Sequence, residues 1–334
     1  IVQAGCPLEE KISEMNFLKS EGVPLGALAM AALGLIPQAA AKAIWKKGRF
    51  EVDRIDAIVI PPAWTDVWIC PWDNGHIQAL GTDEAGRRQY LYHPGWREQR
   101  DREKFDRVLE FGRSLPLGRD RAARHLRLPG MPRERALAVA FHILDLGGLR
   151  IGSEGYANSF GVATLRRDHV STRGGIIRLR FPGKSARDHD VALHDDGLLA
   201  AVRHLQRRRG GGIEILAWRD ASGWHDVTSQ DINDYLEEIG VQGTAKDFRT
   251  WQAGLQALAT LSKTHSGAAS QARAVEQAME AAASHLGNTP AVARSSYVDP
   301  RVVQAYVDGA DLPEAAGDEL CDWEPALLRL LWEG

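Results

Sequence analysis

Lys184 is the only lysine between Lys104 and Lys246, in a stretch that otherwise uses arginine for its cations. An ammonium can release a proton and a guanidinium cannot, so a lone lysine on a turn is a candidate general acid. The Gly183-Lys184-Ser185 triplet is not a P-loop, because Arg178 stands where the first glycine of that motif is needed and the following residues have strand character. Arg150 closes an apolar helical segment just before Gly152, Arg249 follows Lys246-Asp247-Phe248, and Tyr297 lies between Ser295-Ser296 and Asp299-Pro300. A guanidinium suits phosphate contact, and from an exposed position the phenol could reach a ligand. Taken singly, each has a simpler reading: a cation at a helix C-terminus, an ion-paired surface arginine, and an exposed tyrosine. Asp188-His189-Asp190 could bind a metal, but three consecutive strand residues alternate faces, which favours plain exposure. Eleven histidines supply no nucleophile elbow for a Ser/His/Asp triad.

The elements that must position these residues are legible as pattern. Short β-type runs at 58–60, 67–69, 76–80 and 89–92, separated by Pro61-Pro62, Asp73-Asn74-Gly75 and a turn at 83–86, predict a small antiparallel sheet over about 50–94. Helical spacing of Phe105, Val108 and Leu109 predicts helix from 96 to 112 with more to follow, and 136–149 reads as an amphipathic helix. Residues 174–193 predict a hairpin with Ile177, Leu179 and Phe181 on one face and Arg178 and Arg180 on the other. A strand pair is expected at 213–218 and 224–227 and a long helix at 266–286 ending at Gly287-Asn288, with Asp299 as the N-cap of a helix begun by Pro300. Residues 310–334 are expected to be a short helix plus solvated acidic residues.

Composition bounds the function classes. The chain has 334 residues, 44% hydrophobic and 25% charged, and a net charge of −3, which excludes collagen, full-length disorder and a polytopic membrane protein. The near-neutral total hides a basic middle: residues 87–209 hold 26 Lys+Arg against 14 Asp+Glu, and the remainder 15 against 30. Cys6, Cys70 and Cys321 are far apart and form no CxxC or Cys/His ligand pattern, which points to a reducing compartment without structural zinc. The Ala/Leu/Gly-rich stretch 23–44, broken by Pro24, Pro37 and Lys42, reads as a packed helix or disordered leader rather than a membrane segment.

Together the motifs Ile60-Pro61-Pro62-Ala63-Trp64, Gly75-His76-Ile77-Gln78-Ala79, Gln89-Tyr90-Leu91-Tyr92-His93-Pro94, Arg150-Ile151-Gly152, Gly183-Lys184-Ser185, Lys246-Asp247-Phe248-Arg249-Thr250-Trp251 and Ser296-Tyr297-Val298-Asp299-Pro300-Arg301 resemble, in order over residues 49–309, the poxvirus and bacterial type IB DNA topoisomerases. The resemblance implies an α+β fold: a small antiparallel β-sheet N-terminal domain (49–94) and a larger, mostly α-helical catalytic domain with β-hairpins (95–309), closing as a C-shaped clamp. Residues 1–48 form an atypical leader and 310–334 an acidic tail. Tyr297 matches the nucleophile that forms a 3′-phosphotyrosyl enzyme, Arg150 and Arg249 the pair that hold the non-bridging oxygens, Lys184 the general acid, and Asn288 a donor to the phosphoryl oxygen. Gln89, Tyr90, Tyr92 and Tyr156 match DNA-contacting positions.

The same resemblance implies double-stranded DNA as partner and a monomer in the cytoplasm at the nucleoid. It implies no membrane, no nucleotide, no cofactor and no obligatory metal. Two other readings stay beside it. A tyrosine recombinase would share the chemistry but typically carries an HxxR element, and here Lys246 precedes Arg249 at that spacing. A non-catalytic DNA-binding remnant with a defective N-terminal clamp is the other, since 1–48 departs from the family's usual start and the segment between Arg150 and Lys184 is shorter than expected.

Overall fold

A computed structural model describes residues 54–152, 159–183, 187–264, 268–317 and 319–333. The leader 1–48, Tyr156 and Lys184 lie outside the described residues. By its own contacts the chain divides into two compact units, Ile1–Glu103 and Lys104–Gly334. The architecture is α+β.

The first unit is built on an antiparallel meander of β1 (Thr65–Ile69), β2 (Ile77–Thr82) and β3 (Arg88–Tyr92), in the order β1-β2-β3. Its turns are held by side chains. Buried Gln78 donates to the carbonyls of Asp73 (3.0 Å) and Gly75 (2.6 Å) and accepts from Arg54 Nη1 at 3.0 Å, which closes the β1–β2 connection. The Asp83 carboxylate accepts from the backbone N–H of Ala85 (3.0 Å) and Arg87 (2.9 Å) and from the Arg87 side chain, and these hydrogen bonds, the Arg87 side chain foremost, push its pKa down to about 2. Ile58-Val59-Ile60, expected as a strand, is not one. Residues 54–57 are helical, and Val59 sits at φ 49° with 76% of its surface exposed. Pro61 and Pro62 have no N–H to give a ladder, and the chain turns there instead, Trp64 N–H donating to Pro61 O at 3.0 Å.

One helix, α1 (Pro94–Leu126), leads from the first unit into the second, running through Pro116 without a break in helical assignment and burying Phe105, Val108, Phe111 and Leu115 on one face. The core of the second unit is centred on α2 (Arg133–Gly147). Residues 136–141 are all buried, so this helix is wrapped on every side rather than amphipathic as its sequence suggests. Gly148, at φ 57°, ends it.

A three-stranded antiparallel sheet follows, formed by β4 (Val170–Ser171), β5 (Ile177–Pro182) and β6 (Asp188–Leu193). As the alternation predicts, Ile177, Leu179 and Phe181 are buried, while Arg178 and Arg180 face solvent and converge on Asp190 across the strand pair. Beyond it lie α3 (Asp196–Arg207), the strand pair β7 (Ala217–Arg219) and β8 (Trp224–Asp226), and α4 (Ser229–Glu238). The remaining helices are α5 (Ala245–Ser262), α6 (Ala268–Leu286), α7 (Pro290–Ser296), α8 (Pro300–Val307) and α9 (Glu324–Glu333). The helix starts follow local chemistry: a reciprocal Thr228–Asp231 capping box opens α4, the Asp247 carboxylate accepts from Thr244 N–H and its hydroxyl at the start of α5, and Asp299 accepts from Arg301 N–H at 2.9 Å ahead of α8.

The acidic tail is not simply solvated. Trp323, Ala326, Leu327 and Leu331 are buried in the core of the second unit, and Glu324 accepts two hydrogen bonds from Arg119 at 2.7 Å each and one from Trp251 Nε1 at 3.1 Å. Arg119 also reaches Asp145 at 2.7 Å, so a single half-buried network joins α1, α2, α5 and α9. Glu324→Ala leaves Arg119 and Trp251 short of a partner and is expected to lower stability by about 3 kcal/mol, measured by urea unfolding. Glu103→Ala, which removes exposed contacts with Arg100 and Gln99, should stay within about 0.5 kcal/mol of the parent.

Candidate active site

Four of the five residues expected to be catalytic meet in the second unit where α2, α6 and α7 end. Arg150 follows the Gly148 cap, and its backbone is pinned by the loop after it: Val162 N–H donates to Arg150 O at 2.9 Å and Ala163 N–H to Ile151 O at 2.7 Å. That approach needs glycine on both sides. A Cβ on Gly161 would lie 2.3 Å from Gly152 N, and Gly152 itself sits at φ 79°. The anchored side chain makes two contacts, Nη2 donating to Asn288 Oδ1 at 2.9 Å and Nη1 to Tyr297 Oη at 3.4 Å.

A guanidinium has only donors, so Asn288 must turn its oxygen to Arg150 and its NH2 the other way. That Nδ2 is buried without a hydrogen-bond partner. Asn288 is presented by the end of α6: Gly287 takes φ 63°, Asn288 N–H donates to Ala283 O at 2.8 Å, and Arg187 Nη1 donates to Asn288 O at 2.6 Å.

Arg249, expected as a candidate surface group when read alone, is only 2% exposed. It stands in the first two turns of α5 and donates to two helix-end carbonyls, Gly148 O after α2 and Leu286 O at the end of α6, the latter at 2.9 Å. Its Nε is buried without a partner, and its Cζ lies 5.2 Å from the centroid of the Tyr297 ring. Among the described residues no carboxylate forms an ion pair with Arg150 or Arg249. Burial, and then repulsion from Arg150, hold the Arg249 guanidinium below its ordinary pKa, with Tyr297 opposing. Two adjacent cations without an acid are a site for an anion.

Tyr297, expected to be exposed, is 6% exposed. It caps α7, a helix opened by Thr289 and Pro290, and its N–H donates to Ala293 O at 3.0 Å. The ring is covered because α7 folds back on α6 and brings it over Arg249, a long-range packing that local sequence does not reveal. Burial raises the pKa of the phenol, but Arg249 and Arg150 beside it outweigh burial, and the net shift is downward. A phenol more readily ionised, inside a pair of unneutralised guanidiniums and next to a free amide donor, suits nucleophilic attack on a phosphodiester.

Lys184 lies outside the described residues. The strand ends that flank it are described: Pro182 pairs with Asp188, and Gly183 N–H donates to Arg187 O at 2.7 Å. On β3 of the first unit Tyr90 and Tyr92 are each 41% exposed, with ring centroids 6.2 Å apart, while Gln89 points to the opposite face and donates to Asp83 at 2.9 Å. Tyr156 lies outside the described residues. Asp190 of the acidic Asp188-His189-Asp190 run is taken up by Arg178 and Arg180, which leaves no basis for a metal there. Arg203, Arg207, Arg208 and Arg209 of the basic middle also line a cavity of about 650 Å³ with Arg219 and Trp224. No described helix is long and apolar enough to cross a membrane.

The sequence reading missed the brace behind Arg249. Gln252, one turn on along α5, donates to the carbonyls of Leu144 and Asp145 and meets His285 Nε2 at 2.9 Å through Oε1. A Cβ on Gly148 would lie 2.4 Å from that Gln252 oxygen, so the brace packs directly on the cap whose carbonyl holds Arg249. The adjacency of Arg249 and Gln252 on one helix face was the signal available.

Comparison with known proteins adds three findings. Residues 93–311 match the family described as Eukaryotic DNA topoisomerase I, catalytic core, and residues 45–83 match Bacterial DNA topoisomerase IB, N-terminal domain. The second match begins inside the stretch expected to be unlike the family. The DNA topoisomerase 1B of Acanthamoeba polyphaga mimivirus is 31% identical over 294 residues, covering 84% of this chain and 87% of that protein.

Removing one neighbouring cation should be visible on the phenol. In Arg249→Ala the Tyr297 pKa is expected to rise, read as the shift of the phenolate absorption that disappears when Tyr297→Phe is added to each background. An unmoved titration would show that Arg249 does not act on the phenol.

Proposed function

The chain belongs to the type IB DNA topoisomerases, and from that premise we propose that Tyr297 is the nucleophile which cuts one strand of duplex DNA and that Arg150, Arg249 and Asn288 stabilise the phosphoryl group in transfer. The observation that carries this reading is the shared contact of Arg150 with Tyr297 Oη and Asn288 Oδ1, with Arg249 over the same ring and, among the described residues, no acid paired with either guanidinium.

The phenol loses its proton to solvent and attacks phosphorus. The Tyr297 Oη–P bond forms as the P–O5′ bond breaks, leaving a 3′-phosphotyrosyl enzyme and a 5′-hydroxyl. Arg150, Arg249 Nε and Asn288 Nδ2 donate to the non-bridging oxygens as charge gathers on them, where preorganised donors count most. Lys184, on the connection between β5 and β6, protonates the leaving 5′-oxygen. Religation runs the same steps backward. The phosphodiester energy is conserved in the protein linkage, so no nucleotide is consumed, and the donors are all protein groups, so no metal is required.

Between the two steps the downstream DNA turns about the intact strand and torsion is released. Tyr90 and Tyr92 of the small unit and Tyr156 of the large one contact the duplex, Gln89 being turned to the other face and held by Asp83, and the basic middle adds sequence-independent phosphate contacts with steep salt dependence. The 49–94 and 95–309 segments work as the two halves of one monomer at the nucleoid.

Supercoiled plasmid incubated with EDTA and without ATP should be relaxed by the parent protein and should yield a covalent protein–DNA adduct at low salt. Tyr297→Phe should do neither, and Arg249→Ala should slow single-turnover cleavage by roughly 10²–10³-fold. Relaxation that persists in Tyr297→Phe would overturn the assignment of the nucleophile.

A further inference from the structure

His189 is placed so that it touches both sides of the site. Its ring lies against Gly183, where a Cβ would come 2.4 Å from His189 Cδ2, and against Gly287, where a Cβ would come 2.7 Å from Cε1. Its other contact is Phe181, its cross-strand partner, stacked at 4.9 Å with the planes 19° apart. Gly183 is not among the residues with positive φ, so its backbone makes no demand for glycine. What chiefly excludes a side chain there is the imidazole, with Arg187 O next at 3.1 Å. Arg187, two residues before His189, donates to Asn288 O at 2.6 Å, a second tie between the same strand end and the same turn.

We propose that His189 is a positioning residue that sets the register between the Gly183 end of the β5–β6 pair and the Gly287–Asn288 turn, and that it acts on strand cleavage through Asn288. The inference rests on the reading of Asn288 as a phosphoryl donor. Asn288 is spaced from the hairpin by the thickness of one aromatic ring, and its Oδ1 is in turn 2.9 Å from Arg150 Nη2. If the ring is removed, the turn can settle toward the strand, carrying Nδ2 off the phosphoryl oxygen and loosening Arg150. Displacements of about 1 Å at a reacting centre cost on the order of 10²-fold in rate. The wedge works as an uncharged ring: burial, then Arg249 and Arg150, hold the imidazole below its ordinary pKa, with Asp188 opposing. A cation in that place would be repelled by both guanidiniums.

The test is a double-mutant cycle on the single-turnover cleavage rate of a duplex oligonucleotide by the full chain, with DNA affinity and thermal unfolding measured on each variant. His189→Ala is expected to slow cleavage by roughly 30-fold in the parent but by no more than about 3-fold in Asn288→Ala, because both act through one group. His189→Phe, which keeps a flat ring, should stay within about 3-fold of the parent. Gly183→Ala should be slow, and adding His189→Ala should restore part of the loss by making room for the methyl group. This last pair decides the matter if His189→Ala alone proves unstable.

An equal cost of His189→Ala in both backgrounds overturns the proposal, as does His189→Phe behaving like His189→Ala or an absence of suppression. An Asn288→Ala variant that cleaves at the parent rate overturns the reading of Asn288 itself. Equal costs with Asn288→Ala slow overturn only the role of His189.

Discussion

The guanidinium of Arg249 is buried with no carboxylate beside it among the described residues, and much of the second unit exists to make that tolerable. Its charge is met by two backbone carbonyls at helix ends, Gly148 O and Leu286 O, where the helix dipoles place negative potential. To supply both, α2 and α6 must stop at the same point in space. The stops are made by Gly148 and Gly287 in the left-handed region, and the Gln252–His285 contact braces the first of them. Once α2 and α6 end there, the residues that follow each helix, Arg150 and Asn288, are delivered to the same place. Arg249 thus organises the site it serves.

Stability and chemistry are separated in the same unit. Two carboxylates meet Arg119 in the Arg119–Asp145–Glu324 network, which binds α9 to the core, and among the described residues none pairs with Arg150 or Arg249. The first arrangement is neutralised and rigid; the second keeps its charge for a ligand. One arginine and one acid differ little in sequence, so the distinction lies wholly in which helix ends and which acids surround each guanidinium.

How much of this was legible depends on the range of the interaction. Alternation at Ile177, Leu179 and Phe181, the Asp299-Pro300 start and the Gly287 stop are decided within a few residues, and the structure has them as expected. Arg150, Arg249, Asn288 and Tyr297 were legible by motif, and the structure brings the four together. The burial of Tyr297 was not legible, because it is covered by residues distant in sequence. Glu324 looked like one more acid in a solvated tail, and only Arg119 and Trp251, at least seventy positions away, make it structural. The Ile58-Val59-Ile60 run failed for the opposite reason: its β-branched residues favour a strand, and the two prolines after it prevent one. His189 was legible only as a member of an acidic run, since its partners, Gly183 and Gly287, declare themselves by lacking a side chain.

Tyr297 sits at the joint between two short helices, and the joint is tied down on its far side. Asp299 caps α8 and holds Arg301 at 2.8 Å, and Arg301 holds Asp106 of α1 at 3.0 Å. In the proposed reaction a strand is covalently attached to Tyr297, and any pull from a winding duplex would arrive at that joint. The side chain can pass the load through the Asp299–Arg301–Asp106 chain to the 33-residue helix α1, so the attachment point behaves as a mooring rather than a hook. A site of this kind is built to stay aligned under mechanical tension, long enough for the cut end to come back.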